Sequence, residues 1–173
     1  MQNNMVSEKL NFGCGKNDIK SGWINADIQK NPGIDKSFDF NKFPYPFKDN
    51  TFSYILAENV LEHLDDIKKV IFELHRISKD EGIIEILVPY YHSMGAFAID
   101  HEHFFTSMTF DRIVNPEKGA YFEKSPKKMI LLEQNLVPTR LGRLIIFKKL
   151  RWLASLILGE VISHIRVKIK VIK

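Results

Sequence analysis

The sequence predicts a single α/β domain built on a mostly parallel sheet. Short apolar runs alternate with polar connections and a helical segment along residues 9–88, an order typical of parallel sheets. The first run enters a Gly-Cys-Gly turn at residues 13–15, and the second ends at Asp27, twelve residues after Gly15. Glycines let backbone approach a ligand, and a carboxylate accepts hydrogen bonds from ribose hydroxyls. The pattern therefore predicts a nucleoside site at the strand tips.

The secondary-structure elements can be placed in order from apolar periodicity. We predict parallel strands over residues 9–12, 23–27, 36–39, 52–57 and 83–88. The clearest helix runs from Asp65, which can cap it, to about Ser78, and Gly82 marks its exit turn. Connections before the third strand are too short for a full helix, which predicts a trimmed fold. Two late segments, 129–132 and 165–171, are predicted to form an antiparallel C-terminal hairpin.

The glycine turn also discriminates between nucleoside ligands. A dinucleotide site requires G-x-G-x-x-G, but the third glycine position is occupied by Asp18. An acid there would face the pyrophosphate, where like charges repel. No G-x-x-x-x-G-K-S/T phosphate loop occurs in the chain. The predicted ligand is therefore a nucleoside without a phosphate chain.

These motifs resemble those of the class I S-adenosylmethionine-dependent methyltransferases, and most closely a small prokaryotic branch with L-N-h-G-C-G and G-W-h-N-h-D, where h is apolar. Five blocks match in the right order, at residues 10–15, 22–27, 43–55, 60–64 and 73–89. The resemblance covers about residues 9–110. It implies a three-layer Rossmann-like methyltransferase fold with S-adenosyl-L-methionine as the cofactor.

The residues that the resemblance assigns to the cofactor follow the predicted strands. They are Gly13, Cys14, Gly15, Asp27, Ile28, Asp39, Phe40, Glu58 and Asn59. Asp27 would hold the ribose and Asp39 the adenine amino group, although a helix cap and a surface turn acid are alternative roles for them. Glu58 and Asn59 would lie near the amino-acid end and the methyl group. We interpret Cys14 as packing in the turn, because no local histidine can activate it.

Histidines and acids cluster at residues 100–103, just before a Phe-Thr pair. Such a cluster could bind a metal. On an extended segment, however, His101 and His103 would form one pair with no evident third ligand, so we predict no metal site. The resemblance places an acid-x-x-His stretch over the acceptor pocket. His101, His103 or His63 is then the candidate general base, or else a hydrogen-bonded histidine of the pocket wall.

The predicted reaction is methyl transfer to the hydroxyl of a small molecule or a glycan. No N-P-P-Y or N-P-P-F motif for base amino groups is present. Aromatic residues that could stack on a sugar or a base are Tyr90, Tyr91, Phe104 and Phe105. Asn17, where many relatives have glycine, and Lys79–Gly82, which replaces K-P-G-G, leave a non-catalytic cofactor-binding scaffold or partner subunit as an alternative. A nicotinamide-dependent oxidoreductase is a further alternative, disfavoured by the missing third glycine.

Charge is distributed unevenly along the chain. Residues 124–173 contain 12 Lys/Arg and 2 Asp/Glu, a balance of +10, whereas residues 1–123 have a balance of −6, which together give the overall +4. The asymmetry indicates either a solvated basic surface or an anionic partner, membrane lipid or nucleic acid. We expect no nucleic-acid partner. Residues 141–160, drawn as a helix with a narrow polar stripe, predict a buried helix or peripheral membrane contact.

The chain length and its single cysteine complete these expectations. We predict one domain over 1–173, with a flexible N-terminus at 1–8, a cofactor-binding core at 9–110 and a C-terminal cap, helix and strand at 111–173. One cysteine cannot form an intramolecular disulfide, and residues 1–9 show no signal-peptide core. A cytoplasmic protein is expected, with contact to the inner membrane face as an open alternative. The oligomeric state stays open.

Overall fold

A computed structural model describes residues 7–115 and 128–173. Most of the predicted flexible N-terminus, residues 1–6, lies outside this part of the chain. The strands are β1 Lys9–Phe12, β2 Ile24–Asp27, β3 Lys36–Ser37, β4 Phe52–Glu58, β5 Ser78–Pro89, β6 Lys128–Pro138 and β7 Ile162–Ile172. The α-helices are α1 Ile67–Ile77, α2 Ser107–Val114 and α3 Lys148–Leu158.

The strands form one seven-stranded sheet in the order β3-β2-β1-β4-β5-β7-β6. Strands β1 to β5 pair in parallel, while β7 runs antiparallel to both β5 and β6. This confirms the predicted Rossmann-like fold with a mostly parallel sheet and an antiparallel C-terminal hairpin. The strand order reverses between β1 and β4, which is where open α/β sheets bind ligands.

Two predicted boundaries at α1 are wrong. Its N-cap is Asp66 rather than Asp65, since the Asp66 Oδ1 atom accepts a hydrogen bond from the Lys69 backbone N–H at 3.0 Å. The predicted exit turn at Gly82 is absent, because β5 begins at Ser78, immediately after the helix. Glu81, which has a positive φ of 61°, lies within β5. The pairing of β5 with β4 shifts register near this residue, so the irregular backbone forms part of the strand.

The strand lengths differ from prediction at both edges of the sheet and in the central strand β5. β3 has two residues instead of the four predicted at 36–39, and β6 extends over Lys128–Pro138 rather than 129–132. β1, β2 and β4 lie close to their predicted positions, whereas β5 begins at Ser78 rather than residue 83 and β7 at Ile162 rather than residue 165. Edge strands gain pairing from one side only, so apolar pattern constrains their ends less strongly than it constrains buried strands.

The hydrophobic core lies against one face of the sheet. Alternate residues of β4, β5 and β7 are fully buried, as Ile55, Ile86 and Val167 illustrate. The helices α1 and α2 cover this face with the buried side chains of Val70, Ile71, Leu74, Ile77, Phe110 and Val114. The buried residues of α1 recur at helical spacing, which is the apolar periodicity from which a helix is predicted here.

A loop held by two asparagines takes the place of a helix after β1. The Asn11 Nδ2 atom donates to the Asp18 carbonyl at 2.6 Å and to Asn25 Oδ1 at 3.0 Å. Asn25 Oδ1 also accepts from the Lys20 backbone N–H at 2.9 Å. Both asparagines are buried, and these hydrogen bonds satisfy polar groups that would otherwise be costly to bury. The short connection predicted between Gly15 and the second strand is thus stabilised without an α-helix.

Helix α3 is oriented with its polar stripe toward the protein. Ser155 is buried, and the Arg151 guanidinium donates to the Gly142 carbonyl at 2.8 Å and to the Ile145 carbonyl at 2.7 Å. The apolar side chains point outward, so the expectation of a buried helix is wrong. None of the helices in the two described ranges is long and apolar enough to cross a bilayer.

The Arg76 side chain fastens the loop before β4 to α1. Its guanidinium donates to the Glu73 carboxylate at 2.8 Å and to Asp49 Oδ1 at 2.7 Å. It also donates to the carbonyls of Phe47 at 2.9 Å and Tyr45 at 3.1 Å. The hydrogen bonds to Glu73 and Asp49 raise the pKa of Arg76 above its ordinary value.

We expect Arg76→Ala to lower the free energy of unfolding by about 2–4 kcal/mol, because it leaves a largely buried Glu73 carboxylate without its cation. Lys69→Ala is the control. Lys69 also pairs with an acid on α1, at 3.0 Å from Asp66, but both side chains are substantially exposed. The Lys69→Ala variant should lower the free energy of unfolding by less than about 1 kcal/mol. Denaturant unfolding measures both, and equal losses would contradict the role assigned to Arg76.

Candidate functional site

A cavity of about 490 Å³ opens at the carboxyl ends of β1, β2 and β4, at the reversal of strand order. It is lined by Gly13, Gly15, Asp27, Ile28, Gln29, Asp39, Phe40, Asn41, Asn59, Val60, His63, Leu64 and Asp100. All the predicted cofactor residues are among these except Cys14 and Glu58. The structure thus brings together residues that are up to 87 positions apart, from Gly13 to Asp100.

The glycine turn is shaped by close backbone approach. Gly13 has a φ of 76°, and a Cβ atom there would lie 2.5 Å from the Val60 side chain. The backbone N–H groups of Gly13 and Cys14 both donate to the Ala26 carbonyl, at 2.9 and 3.1 Å. The turn is therefore fixed to the end of β2 on one side and packed against the segment after β4 on the other.

The Asp27 carboxylate links this turn to the chain after β2. Its Oδ2 atom accepts from the Gly15 backbone N–H at 2.8 Å, and its Oδ1 atom accepts from the Gln29 backbone N–H at 2.9 Å. Each carboxylate oxygen keeps a second lone pair. Asp27 can therefore fix the turn and still accept a hydrogen bond from a ligand hydroxyl.

Cys14 is buried behind the turn and does not line the cavity. Burial raises the pKa of its thiol to about 11, and the nearby Asp27 charge acts in the same direction. A thiol with this pKa is almost entirely protonated near neutral pH. The interpretation of Cys14 as a packing residue agrees with this environment.

Asp39 and Phe40, which follow β3, form a further part of the cavity wall. The Phe40 ring stacks on Phe12, with ring centroids 4.0 Å apart, and its carbonyl accepts from the Tyr45 hydroxyl at 3.0 Å. Asp39 Oδ1 accepts from the Asn41 backbone N–H at 3.0 Å, which is an Asx-type turn. This wall combines an apolar ring with a carboxylate, which matches the needs of a nucleobase with an exocyclic amino group.

Of the two residues predicted after β4, only Asn59 lines the cavity. Asn59 has a positive φ of 50°, and its backbone N–H donates to the Leu87 carbonyl at 2.8 Å. Glu58 instead accepts from the Arg166 guanidinium at 3.1 Å, and Arg166 also pairs with Glu85. Alternation along the strand turns Glu58 to the polar face of the sheet. Its predicted contact with the cofactor is therefore not supported.

Two of the predicted histidines meet at the cavity. His63 lines it, and the His63 and His101 rings pack edge to face with centroids 4.7 Å apart. The His63 Nδ1 atom lies 3.0 Å from the Asp100 carbonyl and 3.4 Å from the Asp100 carboxylate. The His101 Nδ1 atom lies 3.2 Å from the Ala96 carbonyl. Of the three candidates, His63 is the one that lines this cavity.

His103 lies elsewhere, so the predicted pairing of His101 with His103 is wrong. The segment is not extended: the His101 backbone N–H donates to the Ala98 carbonyl in a turn, and Glu102 N–H then donates to the Glu62 carbonyl. His103 lines a separate cavity of about 260 Å³. Its Nε2 atom is buried without a hydrogen-bond partner among the described residues.

Sequence reasoning missed several lining residues, namely Gln29, Asn41, Val60, Leu64 and, as a cavity residue, Asp100. The first two follow predicted site residues by one or two positions, so proximity to a strand tip was the available signal. Asp100 comes from the loop after β5, and only the fold brings it to His63.

The lining of the cavity is acidic, although Asp39 also pairs with the exposed Lys42 at 3.5 Å. Its lining includes Asp27, Asp39 and Asp100, and none of the described lining residues is Lys or Arg. Carboxylates close to one another attract a cation and repel an anion. The cavity therefore favours a cationic ligand over one that carries a pyrophosphate.

Comparisons with known proteins agree with this fold. The methyltransferase-domain family model matches residues 5–86, a little under half of the chain. No curated protein sequence matches the chain.

Solved structures provide neighbours with low sequence identity. An S-adenosylmethionine-dependent methyltransferase from Mesorhizobium loti is 12% identical, with a TM-score of 0.60 over 94% of this chain and 89% of its own. Phosphoethanolamine N-methyltransferase 2 from Haemonchus contortus, in complex with S-adenosyl-L-methionine, is 12% identical, with a TM-score of 0.55 over 95% and 48%. The cyclase SpnF is 12% identical, with a TM-score of 0.61 over 95% and 75%.

Fold and cavity thus define a protein with the Rossmann-like methyltransferase fold. The family-model match over residues 5–86 and the solved neighbours agree on this fold. Because one neighbour is named as a cyclase, the fold alone does not define the reaction.

We expect Gly13→Ala to lower the free energy of unfolding by about 2–4 kcal/mol, through backbone strain and the clash with Val60. Gly22→Ala is a matched control, since Gly22 has the same φ of 76° but no atom within 4 Å of the added Cβ. It should cost only the strain, about 1–2 kcal/mol. Denaturant unfolding of both variants isolates the close approach, and equal costs would show that the contact with Val60 is unimportant.

Proposed function

We propose that the protein is an S-adenosylmethionine-dependent methyltransferase that acts on the hydroxyl of a small molecule or a glycan. The observation that carries the proposal is the cavity at the strand-order reversal, with a glycine turn and three aspartates but no basic lining residue. S-adenosylmethionine has two cationic groups, a sulfonium and an ammonium, against one carboxylate. Its net positive charge is complementary to this cavity, whereas a nicotinamide dinucleotide carries two phosphate charges.

The residues of the cavity fit the cofactor. A Cβ at Gly15 would meet no atom within 4 Å, so the missing side chain leaves room in the cavity itself. Asp27 is available to the ribose hydroxyls, while Asp39 and Phe40 are suited to the adenine. The glycine turn and Asn59 would contact the amino-acid end of the cofactor. When bound, the cofactor supplies an already activated methyl group.

The remaining tasks of the protein are to orient the acceptor, to remove its proton and to exclude water. His63, which lines the cavity, and His101, whose ring packs against it, would promote the second task. Asp100, whose carboxylate lies 3.4 Å from His63 Nδ1, would stabilise positive charge on that ring. His103 lines another cavity and is not suited to this role.

Exposed aromatic rings near the same loop support a sugar acceptor. Phe97 and Phe104 are more than half exposed, and their ring centroids lie 5.1 Å apart. Tyr90 and Phe105, which were also expected to stack on an acceptor, are buried in the core. Tyr91 is half-buried, and Phe104 lines the same separate cavity as His103. Phe104 and Phe97 are nevertheless the exposed rings of this loop, and they would stack on an acceptor only if it extends beyond the cofactor cavity.

The alternatives make different predictions about binding and turnover. A non-catalytic scaffold would bind S-adenosylmethionine equally well but would methylate no acceptor. An oxidoreductase would bind a nicotinamide dinucleotide in preference. Calorimetry with both nucleotides, followed by transfer of labelled methyl groups to panels of hydroxyl-bearing small molecules and glycans, separates the three.

Asp27→Asn is expected to weaken S-adenosylmethionine binding about 10- to 100-fold, on the scale of ~1.5–3 kcal/mol for hydrogen bonds to a charged group. Asp35→Asn is the matched control. Asp35 also accepts a backbone hydrogen bond, from Asn25 at 2.7 Å, but it does not line the cavity. Calorimetry should show unchanged affinity for Asp35→Asn. No heat with the wild-type chain, or equal affinity for Asp27→Asn, would refute the proposed cofactor site.

We further propose that the outward face of α3 rests on an anionic membrane surface. Its exposed apolar residues, with those of the turn before it, are Leu144, Ile146, Phe147, Leu150, Trp152, Leu153, Leu156, Ile157 and Leu158. The adjoining basic residues Arg140, Arg143, Lys148 and Lys149 are exposed, and residues 134–159 contain no acid. An apolar face bordered mainly by positive charge, with the exposed Glu160 just after its C-terminal end, is complementary to acidic lipid headgroups. Docking to another protein chain is the competing use of this face.

Co-sedimentation with vesicles tests the membrane proposal. The chain should bind anionic vesicles at low salt, since each basic residue contributes about 1 kcal/mol near the headgroups. A Lys148→Glu, Lys149→Glu variant should bind more than about 30-fold less tightly. The control is Lys30→Glu, Lys48→Glu, with the same charge change at exposed positions far from α3 in sequence. Equal binding by the two variants, or none by the wild-type chain, would exclude this surface.

A further inference from the structure

Three side chains with metal-binding groups meet beside the cavity. Glu62 and His63 belong to the short 3-10 turn after β4, and His101 comes from the loop after β5. One potential ligand atom from each residue lies within 4.8 Å of the other two. This set differs from the acid and histidine cluster at residues 100–103, because only His101 is common to both.

Glu62 is the unusual member of the set. Its side chain is 1% exposed, and its Oε2 atom has no hydrogen-bond partner within the described part of the chain. Burial raises the pKa of this carboxyl. A buried carboxylate oxygen without a partner is costly, and the cost is offset if a cation occupies the space that the oxygen faces.

The two imidazoles are oriented by hydrogen bonds that leave one nitrogen free. Each Nδ1 atom lies near a backbone carbonyl, that of Asp100 for His63 at 3.0 Å and that of Ala96 for His101 at 3.2 Å. A neutral histidine that donates from Nδ1 presents the lone pair of Nε2. This arrangement, with the second nitrogen held by a carbonyl, is typical of histidines that ligate metals.

We propose that Glu62, His63 and His101 bind a divalent transition-metal ion. Two imidazoles and one carboxylate suit Zn²⁺, Co²⁺ or Fe²⁺ better than Mg²⁺ or Ca²⁺, which prefer oxygen ligands. Three protein ligands leave at least one position open, and His63 places the site at the edge of the cavity. Metal binding stands independently of the proposed function.

The consequence for catalysis does rest on the proposed function. An acceptor hydroxyl bound at the open position would have its pKa lowered by the ion. The histidine pair would then promote loss of the hydroxyl proton by holding the metal, and the proton would pass to solvent. Asp100, beside His63, would act as a positioning residue for that ligand.

Metal binding can be measured directly on the full chain. Calorimetry with Zn²⁺ and visible absorption with Co²⁺ should show one ion per chain. Glu62→Gln, His63→Ala and His101→Ala should each weaken binding by at least about 100-fold, the upper range for loss of a supporting group around a metal. Glu102→Gln and His103→Ala are controls, because they remove neighbouring groups of the same chemistry that lie outside the set. Circular dichroism confirms that each variant is folded, and Glu62→Gln keeps nearly the shape of the native side chain.

The outcomes separate the two proposals. Failure of the wild-type chain to bind either ion, or equal loss in Glu102→Gln and Glu62→Gln, would overturn the metal site. If the chain binds S-adenosylmethionine but binds neither Zn²⁺ nor Co²⁺, the proposed function is left intact and only the metal site is refuted. Binding of the metal without S-adenosylmethionine would support the site and refute the proposed cofactor.

Discussion

The close approach of Gly13 to Val60 is the constraint on which the site depends. It joins the turn after β1 to the segment after β4, across the point where the strand order reverses. A side chain at position 13 would force these two segments apart, and both walls of the cavity would move with them. The left-handed backbone of Asn59 brings the chain into this contact from the other side. The cavity is therefore shaped chiefly by backbone geometry, and its side chains supply charge and hydrogen bonding.

The two motif asparagines show why a trimmed version of the fold is stable. Asn11 and Asn25 form hydrogen bonds with each other and with the loop between their strands. In a larger domain a helix would cover this part of the sheet and bury apolar surface. Here buried amide groups fix a short loop instead, and the Asp27 carboxylate fixes the adjoining turn. Side-chain hydrogen bonds to backbone thus replace packing in the region that borders the cavity.

The positions of the strands along the chain and their tips could be predicted from the sequence, because apolar periodicity and glycine turns are local signals. The order of the strands in the sheet was not predicted, since it depends on contacts between distant segments. The contacts of individual side chains could be predicted less well. Glu58 is the last residue of β4 and Asn59 follows it, so the two side chains point in different directions. The end of a strand is not defined to one residue by pattern. The turn that separates His101 from His103, and that brings His101 to Glu62, depends on hydrogen bonds between distant segments. The periodicity of α3 showed a polar stripe, but the inward direction of that stripe follows from the backbone carbonyls that Arg151 reaches.

The unequal edge strands of the sheet have a consequence for how the chain behaves during folding and at high concentration. One edge is β3, whose two residues are too few to template another strand. The other is β6, with eleven residues and with Ile130 and Leu132 about half exposed. A strand from another molecule can add along the unpaired backbone of a long edge strand. Two charged residues of β6, Lys128 at its start and Glu133 in its middle, oppose such addition. Self-association by strand addition would therefore occur through β6 only. Two copies joined through β6 would each expose β3 at the outer edge, where no further strand could add.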